Sequence, residues 1–128
     1  TGRETFCREW LDQQLVAFGG VEPVDVQATL LALTAWSIAE AIGTTGLCGG
    51  ELWLCGGGAY NHALWQALAE RLPGWSLHSS AEMGMAPQWV EACAFAWLAA
   101  QRLAGKSGNL PAVTGALGPR VLGALYHP

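Results

Sequence analysis

Three consecutive glycines, Gly56–Gly58, separate a short apolar run from a helical sequence in this 128-residue chain. The run before them, Leu52–Leu54, suits a strand that is covered on both faces. Glycine has no Cβ, so the backbone can turn sharply and a ligand can approach its amides closely. Asn61 can then cap the next helix through its side-chain oxygen. The stretch predicts a strand, a glycine turn and a helix N-terminus.

Such a turn can gather amide donors and a helix dipole around a nucleotide or another polar ligand. The candidate binding residues are Gly56, Gly57, Gly58 and Asn61. A purely structural strand-to-helix turn explains three glycines about as well. The dinucleotide fingerprint G-x-G-x-x-G would require glycine where this sequence has Asn61. Both interpretations stay open on the turn alone.

The composition predicts a single domain with unusually apolar surface. Hydrophobic residues make up 52% and charged residues 12%, against roughly a quarter charged in average soluble domains. That shortage of charge favours an apolar surface that binds a partner, another domain or a second copy of the chain. A net charge of −4 without a basic stripe disfavours nucleic acid. No uninterrupted apolar run reaches about 18 residues and no signal peptide is evident, so we expect a cytoplasmic protein without membrane contact.

The four cysteines, Cys7, Cys48, Cys55 and Cys93, lack the close paired spacing of a zinc site. A zinc site would have to recruit His62 and still lack a fourth ligand in a recognisable frame. We therefore expect no metal site, and we interpret the cysteines as buried free thiols.

Helical spacing of apolar residues predicts four helices. The first runs over Phe6–Phe18, and the second from Pro23 to Gly43, with Pro23 suited to a first helical position. The third follows Asn61 and ends before Pro73, and the fourth covers Gln88–Leu103.

A second short strand, Trp75–His78, follows the third helix. A helix between two strands predicts a β-α-β unit with parallel pairing, and hence an α/β fold whose sheet needs more strands than this sequence shows. Glu82–Pro87 and Asn109–Gly115 are interpreted as loops. Val121–Tyr126 is interpreted as a terminal strand or an extended segment.

Glu91 is the only charge in the sequence VEACAFAWLAA of the fourth helix. Burying a carboxylate without a partner is costly, so it lies at an exposed edge or points into a polar cleft. Spacing alone favours the exposed edge. Arg3 and Glu4 are interpreted as a solvated first turn. The chain shows no nucleophile motif with a matching base.

Taken together, several short motifs resemble the 1,6-anhydro-N-acetylmuramic acid kinases of bacterial cell-wall recycling, and the match covers essentially the whole chain. They are Thr1-Gly2-Arg3-Glu4 with Phe6 and Trp10-Leu11, Asp25-Val26-Gln27-Ala28-Thr29-Leu30, Cys55-Gly56-Gly57-Gly58-Ala59 with Asn61, Leu72-Pro73-Gly74, Glu91-Ala92 with Ala94-Phe95-Ala96-Trp97-Leu98-Ala99, and Gly108-Asn109-Leu110-Pro111 with Val113-Thr114-Gly115-Ala116.

The resemblance implies an actin-like sugar kinase fold, in which two α/β domains close on ATP and substrate. Its members open the 1,6-anhydro ring by hydrolysis and phosphorylate O6, giving N-acetylmuramic acid 6-phosphate. Residues 1–128 would form a single C-terminal, nucleotide-side lobe, helix-rich with a small sheet. ATP, Mg²⁺ and a homodimer are implied in the same way.

Residue by residue, the resemblance places Gly56, Gly57, Gly58 and Asn61 in the nucleotide-side loop. It also implies that Glu91 faces the cleft near the sugar, in a supporting catalytic role. Arg3 and Glu4 would lie next to that cleft.

Two family hallmarks, a G-T-S-x-D-G phosphate loop and a G-F-D-T-G-P segment with the catalytic aspartate, do not occur in this sequence. Because phosphoryl transfer needs both parts, we expect the isolated chain to be inactive and to depend on an N-terminal lobe. The alternative is a non-catalytic homo-oligomeric interaction module in which the glycine turn is structural.

Overall fold

The computed structural model describes residues 5–126, so Arg3 and Glu4 lie outside the described residues. The chain divides into two compact units, unit 1 (Thr1–Leu47) and unit 2 (Cys48–Pro128). The assignment of residues 1–128 to one lobe stays a prediction.

The described part of unit 1 contains two helices, and the first is shorter than its apolar spacing predicts. Helix α1 spans Arg8–Leu15. After it, Val16 N–H donates to the Gln13 carbonyl and Phe18 N–H to the Leu15 carbonyl. Both bonds span three residues, so the chain tightens into turns before the two glycines at positions 19 and 20.

Helix α2 spans Pro23–Gly43, as predicted. Pro23 occupies the start, where its missing N–H costs no helical hydrogen bond, and Asp25 lies in the first turn. Ala35 is fully buried, but most of the helix is exposed. By length and composition α2 is apolar enough to cross a membrane, a property that the core helix of a soluble protein can share.

Unit 2 opens with the predicted β-α-β arrangement. Strand β1 spans Gly50–Leu54, helix α3 spans His62–Arg71 and strand β2 spans Trp75–Ser79. The strands pair in parallel, with Gly50 opposite Trp75 and Leu54 opposite Ser79. The α/β prediction is therefore confirmed at the level of a helix-rich chain with a small parallel sheet.

The core of unit 2 centres on three leucines that α3 and its C-terminal boundary supply. Leu64, Leu68 and Leu72 lie four residues apart, and their exposed fractions are 8%, 1% and 7%. That spacing puts them on one side of the helix.

Two glycines bring the starts of the two strands together. A Cβ on Gly49 would lie 2.4 Å from the Gly74 carbonyl oxygen, and one on Gly74 would lie 2.3 Å from the Cys48 carbonyl oxygen. Only glycine fits this approach, because the neighbouring atoms are backbone and cannot rotate away.

The prediction that β1 is covered on both faces is wrong. Leu52 and Leu54 are partly buried, whereas Glu51 and Trp53 are exposed. The Trp53 ring instead stacks on His78 of β2, with centroids 4.7 Å apart. One face of this sheet is thus covered in the described residues and the other is open.

Helix α4 spans Val90–Leu103 and helix α5 spans Pro111–Thr114. The predicted start at Gln88 was early, since Pro87–Trp89 forms a 3₁₀ turn ahead of α4. The predicted loop 109–115 contains α5, because Pro111 can begin a helix. Residues 121–126 form no strand.

The four cysteines are free, but the prediction that they are buried is wrong. Cys48, Cys55 and Cys93 are exposed and Cys7 is half-buried. Cys48 and Cys55 flank the short strand β1. Cys93 lies on α4, and no described residue of α4 is buried.

Candidate functional site

The glycine turn begins at the carboxyl end of β1 with Gly56 at φ 68° and ψ −165°, a positive-φ conformation that is essentially confined to glycine. A side chain would be strained there, so the fold itself requires glycine at this position. Gly57–Tyr60 then form one turn of 3₁₀ helix, and Ala59 N–H donates to the Gly56 carbonyl over 3.2 Å. The turn delivers the chain to Asn61 and α3.

The three glycine amides differ in availability. Gly56 N–H donates to the Pro87 carbonyl over 2.9 Å. Among residues 5–126, the N–H groups of Gly57 and Gly58 donate no hydrogen bond, and both residues are exposed. No atom lies within 4 Å of the place a Cβ on Gly57 would occupy. The turn thus presents two adjacent exposed residues whose N–H groups have no acceptor in this part of the chain.

Asn61 caps α3, as predicted. Its Oδ1 accepts a hydrogen bond from the Leu64 N–H over 3.2 Å, with the Asn61 backbone extended at φ −93° and ψ 97°. In the described part of the chain its side-chain amide nitrogen donates no hydrogen bond, so this donor remains available beside the glycine amides.

Side chains on both sides fix the turn. The Tyr60 hydroxyl donates to Oε1 of Gln88. From α3, the Trp65 indole N–H donates to the Ala59 carbonyl over 3.0 Å. Sequence reasoning left Tyr60 without a role, because its partner lies 28 residues away.

Glu91 lies in the first turn of α4 and is exposed. Within residues 5–126 it makes no ion pair and no side-chain hydrogen bond. The structure brings the segment just before it, Pro87–Trp89, against the glycine turn through the Gly56 and Tyr60 hydrogen bonds. Spacing correctly predicted the exposure, and a role toward a sugar stays a prediction.

A second polar group follows β2. The Glu82 carboxylate accepts from Ser79 N–H over 2.8 Å and lies 3.0 Å from Nδ1 of His78. The Ser79 hydrogen bond first, and the His78 contact second, lower the pKa of Glu82 below its usual 4.5. The Ser79 hydroxyl in turn accepts from Ala81 N–H. Sequence reasoning missed this capping arrangement, although Ser followed three residues later by Glu is its signature.

Across residues 5–126, no group of three or more His, Cys, Asp or Glu side chains is arranged to hold a metal ion.

Among the described residues of unit 1, apolar cavities of about 530 and 270 Å³ lie between α1 and α2. Trp10, Leu11, Leu30 and Leu33 line both of them. Neither cavity contains any of the site residues that the sequence predicts, so the site is assigned to the glycine turn on chemistry and not on cavity size.

Comparison with known proteins finds the same family along the full length of the chain. The family model described as "Anhydro-N-acetylmuramic acid kinase" matches residues 1–128. Proteins named anhydro-N-acetylmuramic acid kinase from Shewanella woodyi and Thiobacillus denitrificans are each 52% identical to it, over 98% and 99% of this chain. The one from Pseudomonas syringae pv. tomato is 51% identical over 98%.

The chain spans only 34% of the first two relatives and 35% of the third, about a third of their length. The match nevertheless includes the glycine turn, the capped helix and the helix that carries Glu91. This chain belongs to the anhydro-N-acetylmuramic acid kinase family.

Proposed function

We propose that this chain is the nucleotide-side, C-terminal part of a cytoplasmic kinase that uses ATP to convert 1,6-anhydro-N-acetylmuramic acid to N-acetylmuramic acid 6-phosphate. The enzyme would open the anhydro ring with water and phosphorylate O6. In this proposal the lobe belongs to an actin-like sugar kinase fold and closes on a second lobe. It serves the recycling of cell-wall amino sugar.

The observation that carries the proposal is the pair of free, exposed amides at Gly57 and Gly58, at the carboxyl end of a parallel strand. In open α/β sheets, ligands bind outside the carboxyl ends of the strands. Neither a positive φ nor a close neighbour requires glycine at position 57. Close approach by a ligand remains a physical reason for glycine there.

The surroundings of each residue determine its proposed role. Gly56 sets the shape of the turn, since its own amide is occupied. Gly57, Gly58 and the Asn61 amide nitrogen supply donors to the nucleotide. Bound ATP would supply the phosphoryl group, and Glu91 would hold the sugar or the attacking water. Mg²⁺ would accompany ATP, and among residues 5–126 no group of three or more His, Cys, Asp or Glu side chains is arranged to hold it.

The test is a kinetic comparison in the full-length enzyme. We expect phosphorylation of the anhydro sugar by wild type, and a KM for ATP at least tenfold higher in Gly57→Val, because the added side chain blocks approach to the amides. The melting temperature should change little, because position 57 faces open space. An unaltered KM for ATP would contradict the proposed site, and absence of turnover in wild type would contradict the activity.

Nucleotide binding can also be followed directly. Trp65 donates its indole N–H to Ala59 inside the turn, so its fluorescence should respond to ATP. We expect saturable quenching in the full-length protein that disappears in Trp65→Phe and weakens in Gly57→Val. The 128-residue chain alone should show no phosphoryl transfer, and turnover by it would contradict dependence on a second lobe.

One observation favours the alternative of a homo-oligomeric interaction module. Helix α4 exposes Phe95 at 63% and Trp97 at 53%, which is a large apolar area for a soluble surface. A dimer of the full enzyme would account for the same exposure. Light scattering on the full-length protein distinguishes the two: a dimer that binds ATP fits the kinase, whereas association without any ATP response fits the module.

A further inference from the structure

The glycine turn and the segment that leads into α4 are joined by two hydrogen bonds. Gly56 N–H donates to the Pro87 carbonyl over 2.9 Å, and the Tyr60 hydroxyl donates to Oε1 of Gln88. The bonds hold both ends of the turn, while their acceptors are consecutive residues. The turn is therefore fixed to one short piece of backbone.

That piece of backbone continues into α4 without an extended residue. Trp89 has φ −94° and ψ −12°, and Val90 has φ −56° and ψ −46°, both right-handed helical values. Pro87 is buried and fixes the start of the segment. A displacement of Gln88 would consequently be carried to Glu91, three residues further on, since continuous helical backbone moves as a unit.

We propose that Tyr60 and Gln88 are positioning residues that couple the glycine turn to Glu91. Neither side chain needs to touch a reacting group. When nucleotide binds at the turn, the Tyr60–Gln88 bond carries a shift of the turn to the start of α4 and hence to Glu91. This inference rests on the proposed function, because it gives the two ends of the coupling their ligands: ATP at the turn and the anhydro sugar at Glu91.

The test uses Tyr60→Phe and Gln88→Leu, singly and together, in the full-length enzyme. Each single variant should raise the KM for ATP about threefold to tenfold, as expected for one net hydrogen bond. The KM for the anhydro sugar should also rise, by about threefold, although Tyr60 lies on the nucleotide side. The double variant should match the single ones, because both remove the same bond.

Two controls separate positioning from general damage. Gln88→Glu keeps an acceptor oxygen and should retain values close to wild type. Tyr126→Phe removes a hydroxyl from a tyrosine that is 92% exposed and far along the sequence from the turn, and it should leave both KM values unchanged. A lower melting temperature with unchanged KM values would show a purely structural bond and overturn the proposal. Additive effects in the double variant would overturn it as well.

Hydrogen exchange of the same proteins tests the coupling between the glycine turn and the start of α4 without a measurement of turnover. In Tyr60→Phe, the amides of residues 88–91 should exchange at least threefold faster than in wild type, together with those of residues 57–60. Faster exchange confined to residues 57–60 would overturn the coupling. If wild type shows no phosphorylation, the proposed function fails, while the exchange rates of residues 88–91 still support or overturn the link between the two segments.

Discussion

Unit 1 buries one residue of its described part, Ala35, whereas unit 2 buries Leu64, Leu68 and Leu72 together. Unit 2 also joins distant segments by backbone hydrogen bonds, in the β1–β2 pairing and in the Gly56–Pro87 bond. Over residues 5–47, unit 1 has two helices with apolar cavities between them. The comparison teaches that helical periodicity alone can specify where helices form. A buried core additionally requires a second layer of structure against which the apolar face of a helix packs.

The largest test of this contrast is the same truncation in both units. Leu68→Ala should lower the free energy of unfolding of the chain by about 3 kcal/mol, because it leaves a cavity in the core of unit 2. Leu33→Ala in α2, where the side chain is 38% exposed, should cost less than about 1 kcal/mol. Urea denaturation measures both, and similar losses would contradict the difference in core formation.

The next test adds one methyl group in each unit. Gly74→Ala should cost about 1–3 kcal/mol, since its Cβ would lie 2.3 Å from the Cys48 carbonyl oxygen. Gly43→Ala, at the end of α2 with no atom within 4 Å, should be neutral or stabilising by up to about 1 kcal/mol. Melting temperatures of the two variants should move in opposite directions or differ clearly. A harmless Gly74→Ala would refute the close approach of the two strands.

Helix capping gives a smaller contrast. Asn61→Ala should cost about 1 kcal/mol because the Leu64 N–H loses its acceptor. Asn61→Ser is the matched control and should retain most of the stability. Helix α2 has no side-chain cap at Glu22, so Glu22→Ser should add about 0.5 kcal/mol. Circular dichroism during urea unfolding measures all three, and a neutral Asn61→Ala would contradict the capping role.

The smallest effect concerns acid sensitivity in unit 2. Because the folded-state pKa of Glu82 lies below its unfolded value of 4.5, the stabilisation from its charged form is present above pH 4.5. It is lost as the pH falls through the lowered pKa. Glu82→Gln should therefore flatten the decline of stability over that range. Unfolding followed at several pH values tests this, and an unchanged slope would exclude Glu82 as a contributor.

Much of the fold could be predicted because its signals are local. Pro23 and Gly43 bound α2, Asn61 caps α3, and the apolar runs on either side of α3 predict a parallel pair. The exposure of Trp53 could not be predicted from its run, since an apolar strand sequence does not say whether a second layer lies on its other face. The short helix at Pro111 resembled a loop because its flanking Asn and Gly residues favour turns.

The features of the candidate site also differ in whether the sequence could predict them. Gly56 and Asn61 carry a sequence signal, since few residues tolerate positive φ or cap a helix. The occupied amide of Gly56 and the Tyr60–Gln88 bond carry none. They depend on segments about 30 residues apart, and no periodicity in the sequence relates them.

The parallel pair β1–β2 is the whole sheet among residues 5–126, so each strand has an outer edge that pairs with no further strand. Neither strand contains a Lys or a Pro to discourage such pairing. Inside a longer chain these edges permit the sheet to widen on both sides. When the chain is produced alone, they become templates for intermolecular strand addition. If this chain lies within the longer kinase that we propose, strand pairing at these edges should make it more soluble there than on its own.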